Sequence, residues 1–337
     1  MHTKLKNIVK LIAEISLLIL LFYLFLTKIS FHDFYKLKDI FKWQFIPLLI
    51  LINLLIPFFW SLAWYKILRA FYKVDVLEIF LAKIASQAIS YVTPFVGIGG
   101  DVFVPSILAN HERKAKTIIA TIALERTIEV IAYGSLLSVA SFVVLFSEIP
   151  LYIKIAMIAI SLMLVIFLSL FLYMLILRKR IFSAILSWLY STFHFKKFDE
   201  IKKKIMDFEE DLFFVLKKEN KKVIIEAFIF KYIGLFFEVL KYVILFYALN
   251  HKKLVLFYAC FALTSYIVVW ILSFIPASLG GFEYTYITFF PEVGLSKTDA
   301  LGFILIVRGL YTINVLIGLS YYFIKKSEML KKELNKS

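Results

Sequence analysis

The 337-residue chain has a single cysteine, seven prolines, eleven glycines and only 19% charged residues. An ordinary soluble domain carries about 25% charged residues. One cysteine, Cys260, permits no intrachain disulfide, which excludes a secreted disulfide scaffold. The chain also lacks HExxH and CxxC, and His2, His32, His111, His194 and His251 are scattered across termini and loops, so no metal cluster is expected. It has no GxxxxGKS/T loop for ATP and no GxSxG nucleophile elbow. No catalytic residue, metal or cofactor is predicted. What fills the chain is apolar: 62% hydrophobic, 18% aromatic, mean hydropathy +0.86. That composition excludes a water-soluble globule and a disordered chain. The net charge of +15 would point to nucleic acid in a soluble protein. Here the basic residues lie between apolar runs, so they read as orientation in a membrane, with no nucleic-acid partner.

A spanning helix needs about 20 mostly apolar residues. Six runs meet that length, at roughly 11–27, 45–65, 117–146, 151–177, 223–249 and 299–324. Two further runs are interrupted. The stretch 79–110 breaks at Thr93-Pro94-Phe95-Val96-Gly97-Ile98-Gly99-Gly100, and 254–290 breaks at Pro276-Ala277-Ser278-Leu279-Gly280-Gly281. Proline disfavours helix before it and glycine frees the backbone, so each break ends one helix and starts another. The N-terminal run follows Lys4, Lys6 and Lys10 but is not succeeded by a small-residue cleavage site. It reads as the first span, not as a signal peptide. With both broken runs as re-entrant hairpins, the cytoplasmic segments hold 26 Lys/Arg and the outer ones 7. This asymmetry satisfies the positive-inside rule. The expected fold is therefore an all-α polytopic membrane protein, a single integral membrane domain over 1–337. It has six full spans, two re-entrant hairpins and both termini cytoplasmic, in the cell membrane.

The segment 178–222 is the one sizeable polar region. Within it Phe198, Ile201, Ile205, Phe208, Leu212 and Val215 form a narrow apolar stripe at helical spacing. It is expected to be a cytoplasmic amphipathic loop between two halves. It lies on the bilayer surface or against the bundle, or else forms a short dimerising coiled coil.

A shift of 182 residues aligns Pro94 with Pro276, Gly99 with Gly281, Asp101 with Glu283, and Arg126 with Arg308. Rare residues falling in one register within apolar segments signal a repeat, over about 45–146 and 227–328. Three spans separate the hairpins, so they enter from opposite faces and the repeat is inverted. Secondary transporters are often built this way, with the substrate at the midplane where broken helices meet.

Asp101 and Glu283 each follow a glycine pair at the start of a hairpin's second helix. There a carboxylate can cap free N–H groups, and the same helix end can hold an anion such as phosphate. Charges within hydrocarbon need partners. Two readings stand for Arg126 and Arg308: ion pairs with Asp101 and Glu283 that staple the hairpins, or bidentate contacts to a lipid phosphate. Glu125 and Glu129 flank Arg126. Lys231, Glu238 and Lys241 mark a polar stripe, as do Lys83 and Gln87. Each set is either a local structural pair or part of a hydrophilic groove.

The run Pro276-Ala277-Ser278-Leu279-Gly280-Gly281-Phe282-Glu283, with Ala300 and Arg308 beyond it, resembles the flippase-like membrane region of lysylphosphatidylglycerol synthases. Gly99-Gly100-Asp101 and Leu124-Glu125-Arg126-Thr127-Ile128-Glu129 match other motifs of that family. The resemblance covers about 5–325 and implies a protein that moves an amphiphilic lipid between leaflets. Full-length synthases carry a soluble aminoacyl-transferase domain after this region. The chain stops at Ser337, so the expectation is no synthase activity and no enzyme. Many members place an arginine about three residues after the aspartate, where this chain has Val104. Carried over residue by residue, the site comprises Gly99, Gly100, Asp101, Glu125, Arg126, Gly280, Gly281, Glu283 and Arg308. The leading expectation is a flippase-like transporter of an anionic or phosphate-bearing lipid. Alternatives are a non-transporting partner of a glycosyltransferase or lipid-modifying enzyme, and a membrane-embedded lipid enzyme, for which no nucleophile is evident. Membrane lipids are the expected partners; a homodimer or a membrane enzyme also fits.

Overall fold

The computed structural model describes residues 31–92, 99–109, 113–146, 150–176, 221–271 and 276–334, with a few more between 183 and 213. The expected first span at 11–27, the Thr93–Ile98 break and most of the 198–215 stripe lie outside the described residues.

Ten α-helices follow in order among the described residues. They are α1 (Phe31–Ile40), α2 (Ile46–Arg69), α3 (Val76–Val92), α4 (Gly99–Leu108), α5 (Ala115–Leu145), α6 (Leu151–Ile176), α7 (Lys221–Ala248), α8 (Val255–Ile271), α9 (Gly281–Phe289) and α10 (Lys297–Leu334). Among the described residues three stretches are long and apolar enough to cross a membrane: Trp43–Arg69, Ala115–Val144 and Lys297–Glu328. The protein is an all-helical, multi-pass membrane protein. α6 exposes Ile155, Leu162, Met163, Val165, Ile166, Phe167 and Leu170, a surface that suits lipid rather than water.

Local chemistry sets the helix starts. Asp75 Oδ1 accepts from the Leu77 and Glu78 N–H groups (2.7 and 3.3 Å), capping α3. Before α10, the Ser296 N–H and hydroxyl both donate to Asp299 Oδ2 at 2.8 and 2.6 Å, and Asp299 N–H returns a bond to Ser296 Oγ. This is a reciprocal cap. In the second interrupted run the Pro276–Ser278 turn, with left-handed backbone at Ala277 and Ser278, precedes the helix that starts at Gly281.

The 182-residue spacing recurs in the helix starts. α4 and α9 begin at Gly99 and Gly281, and α5 and α10 at Ala115 and Lys297, each pair 182 residues apart. Packing follows the same exchange of halves. α2 lies along α7; α3 packs on α10 as α8 packs on α5; α4 joins α3 and α5 as α9 joins α8 and α10. α3 and α8 thus each pack on a long helix remote in the chain.

Close approach fixes the first break. A Cβ on Gly100 would lie 1.8 Å from the Ser86 carbonyl oxygen, so only glycine lets α4 meet α3 there. The Gly100 N–H donates to Ser90 Oγ at 2.8 Å, satisfying a donor at the start of α4. The main core is aromatic: Tyr242, Phe246, Phe282, Tyr286, Phe290 and Phe303 interlock between α7, α9 and α10. Tyr286 is completely buried and its hydroxyl donates to Ala262 O at 3.0 Å.

Candidate functional site

A cavity of about 190 Å³ opens where α2, α3, α5, α7, α8, the Pro276–Ser278 turn and α10 converge. Arg126 and Arg308 both line it. Two arginines 182 residues apart thus share one chamber. Glu129, Glu238, Lys241, Asn53, Asn314 and Gln87 add polar groups, and Trp60, Tyr91, Tyr133, Tyr266, Phe282 and Tyr311 supply aromatic walls.

Arg126 is held from two helices. Its Nε and Nη2 donate to Asp101 Oδ2 and Oδ1 at 2.6 and 3.0 Å, a bidentate fork, and its Nη1 donates to Glu129 Oε1 at 2.7 Å. Asp101 lies in the first turn of α4 and also accepts from Ser86 Oγ at 2.8 Å. Behind this pair lies a buried set of charges. Lys83 Nζ donates to Glu125 Oε2 at 2.7 Å. Lys231 Nζ contacts Glu125 Oε1 and donates to Glu129 Oε2 at 2.5 Å. The side chains of Lys83, Glu125 and Lys231 are at most 3% exposed. Three cations and three carboxylates balance, as buried charges must.

Arg308 is held differently. Its Nε donates to Glu283 Oε1 at 2.7 Å, its Nη1 to Tyr91 Oη and Ala277 O at 2.6 and 2.7 Å, and its Nη2 to Ser278 O at 3.3 Å. Glu283 Oε2 accepts the Gly280 N–H at 2.8 Å, so one carboxylate both caps α9 and fixes the arginine. Ala277, Ser278 and Gly280 have φ of 54°, 48° and 76°, left-handed backbone that turns the Ala277 and Ser278 carbonyls onto the guanidinium. The Phe282 ring lies 4.5 Å from the Arg308 guanidinium carbon.

The predicted residues therefore fall in two tiers. Arg126 and Arg308 form cavity wall; Asp101, Glu283 and Glu125 are their partners or lie behind them. Gly99 and Gly281 begin α4 and α9, Gly100 makes the backbone contact, and Gly280 forms the turn before α9. Val104 is buried against a cluster with Trp64, Leu68 and Leu108 rather than facing the cavity group. The ion pairs expected on one reading are present, and the same arginines border the space that the other reading requires.

Local pairing proved a weaker guide. Lys83 pairs with Glu125 on α5 rather than with Gln87, one turn away on its own helix. Glu238 and Lys241 do pair at i,i+3, though at 4.0 Å, and the Glu238 carboxylate also accepts a hydrogen bond from Tyr133. Reasoning from sequence missed Asn53, whose Nδ2 donates to Leu310 O and Asn314 Oδ1 at 3.0 and 3.1 Å. The available signal was an isolated amide in each of two apolar spans, a costly placement without a partner.

A profile of the lysylphosphatidylglycerol synthase TM region matches residues 11–318. No curated protein and no solved structure matches the chain. The match spans nearly all of the sequence, and the chain belongs to this family of membrane regions linked to lipid metabolism.

Proposed function

We propose that this member of the lysylphosphatidylglycerol synthase TM family moves a phosphate-bearing amphiphilic lipid between the leaflets of the cell membrane. The headgroup enters the cavity bounded by Arg126 and Arg308 while the acyl chains remain in the bilayer. On this reading α3–α4 and α8–α9 are re-entrant hairpins of an inverted repeat, both termini are cytoplasmic, and alternating access comes from exchange between the two halves. The polar 178–222 segment is a cytoplasmic connection. The protein acts as a transporter and not as an enzyme.

One observation carries the reading: two arginines from opposite repeats converge on one cavity in an apolar protein. The volume supports it too. Pockets for whole drug-sized ligands measure about 300–1,000 Å³, so about 190 Å³ takes a headgroup and not an entire lipid. Ionisable side chains in membrane segments are retained chiefly for such roles.

The test is lipid movement in proteoliposomes, read with a fluorescent phosphatidylglycerol and an impermeant quencher. The Arg126→Gln, Arg308→Gln double variant is expected to lose movement while still purifying as a folded protein. Wild-type rates in that variant defeat the reading.

A further inference from the structure

Lys241 projects from α7 into the same cavity, and its chemistry differs from that of either arginine. It is 2% exposed. Arg126 and Arg308 spend their donors on carboxylates, carbonyls and a tyrosine hydroxyl. Lys241 makes no hydrogen bond among the described residues. Its nearest carboxylate oxygen, Glu238 Oε1, stands at 4.0 Å. Its remaining neighbours are aromatic: the Tyr242 and Tyr311 rings lie 4.9 and 5.5 Å from Nζ. Ring faces attract a cation but provide no lone pair of hydrogen-bonding quality to its three N–H groups. A buried ammonium held by one ion pair at 4.0 Å keeps N–H donors that a ligand in the cavity can complete.

We infer that Lys241 is the anion seat of the cavity and that it takes a phosphate-type oxyanion, with Arg308 across the Tyr91–Tyr311 stack as the flanking cation. The Tyr91 and Tyr311 rings stack at 6.0 Å, and Arg308 bonds the Tyr91 hydroxyl. The stack thus ties the two cations into one wall. A tetrahedral oxyanion offers acceptors in several directions, which suits a lysine point charge beside a fixed guanidinium. The Glu238 carboxylate, tied to Tyr133, keeps only a long ion pair with Nζ at 4.0 Å and leaves its N–H groups to a ligand. This inference rests on the reading of the cavity as a headgroup site and adds which residue grips the phosphate: the arginines shape the chamber and Lys241 binds. The phosphate belongs either to a lipid headgroup or to a free ion.

The experiment measures binding, not movement. The full-length protein in detergent is titrated with inorganic phosphate, dihexanoyl-phosphatidylglycerol and the phosphate-free dihexanoylglycerol, with tryptophan fluorescence as readout. Wild type is expected to bind the phospholipid saturably and to ignore dihexanoylglycerol. Lys241→Gln should weaken binding at least about tenfold, and Lys241→Arg should retain most of it. Competition by inorganic phosphate identifies a free-ion seat; its absence identifies a headgroup seat. A second measurement guards against misfolding. Lys241→Met should raise the melting temperature of the ligand-free protein, since it removes a buried charge held by one long ion pair, whereas a structural lysine would lower it. Unchanged affinity in Lys241→Gln, or a lower melting temperature in Lys241→Met, overturns the assignment. Lipid movement that depends on Arg126 and Arg308 would survive that outcome. Conversely, an intact Lys241 seat with no lipid movement defeats only the transport reading.

Discussion

In the first half of the molecule Arg126 shares its carboxylates with two lysines; in the second, Arg308 has one carboxylate and draws its other acceptors from backbone and tyrosine. Both pairs keep the 25-residue spacing and both arginines reach the same cavity. The first is embedded in side-chain charges alone, with Lys83, Lys231, Glu125 and Glu129 behind it. The second is embedded in left-handed backbone and aromatic rings. A side-chain charge network can exchange partners without moving the chain, whereas carbonyls on a turn can release the guanidinium only if the turn itself moves. The two arginines keep the same spacing to their carboxylates and the same cavity but differ in what supplies their other acceptors.

The sharpest way to break that contrast is to remove a carboxylate from each half. Glu125→Gln leaves Lys83 and Lys231 short of a partner in a site at most 3% exposed, and should cost about 3–5 kcal/mol of stability. Glu283→Gln leaves Arg308 its two carbonyls and Tyr91, and should cost about 1.5–3 kcal/mol. Unfolding in detergent, followed by tryptophan fluorescence, compares the two. Equal losses would mean that backbone and tyrosine acceptors do not stabilise Arg308 as argued.

A second contrast sets Gly100 against Gly309. Gly100→Ala drives a Cβ into the Ser86 carbonyl and forces α4 off α3, at about 3 kcal/mol, the upper end for overpacking. Gly309 sits beside Arg308 with no atom within 4 Å of a built Cβ. Gly309→Ala should therefore be neutral or stabilising by up to about 1 kcal/mol from helix propensity. Thermal unfolding of both variants reads the difference, and a tolerated Gly100→Ala would refute the close contact.

These sites differ in how far the sequence exposes them. Pro94, Pro276 and the glycine pairs were legible because such residues are rare in an apolar background and act on the backbone locally. The pairing of Arg126 with Asp101 and of Arg308 with Glu283 was legible because the repeat prints the same spacing twice. The charge cluster was not. Lys83 and Glu125 are 42 residues apart, Lys231 and Glu129 are 102 apart, and neither has a counterpart 182 residues away. Helical periodicity proposes partners one turn distant, but here tertiary packing brings together residues from three helices. Lys241 was visible as one member of a stripe; only the surrounding geometry shows how loosely Glu238 holds it, at 4.0 Å.

A smaller effect tests the tyrosine. Tyr91→Phe removes one hydrogen bond to a charged donor and keeps the ring beside Tyr311, costing about 1.5 kcal/mol. Tyr133→Phe removes the matching hydroxyl contact to Glu238 in the cavity's other wall. If the second half depends more on such neutral acceptors, Tyr91→Phe should slow lipid movement more than Tyr133→Phe in the same proteoliposomes. A reversed order would place the sensitive wall in the first half.

The smallest expected change tests whether the left-handed turn is a cost carried for function. Ala277 at φ 54° holds its carbonyl 2.7 Å from Arg308 Nη1. For an L-residue that conformation costs about 1–2 kcal/mol, while glycine adopts it freely and adds about 0.5–1 kcal/mol of entropy to lose on folding. Ala277→Gly should therefore stabilise the protein by up to about 1 kcal/mol in the same unfolding assay. Glycine also frees the turn to leave Arg308, so headgroup passage should change even as stability rises. A rise in stability with an altered rate of lipid movement marks the turn as a strained, working element of the second half. A fall in stability would show that the Ala277 methyl is held by packing, and the two halves would then differ in their acceptors without differing in strain.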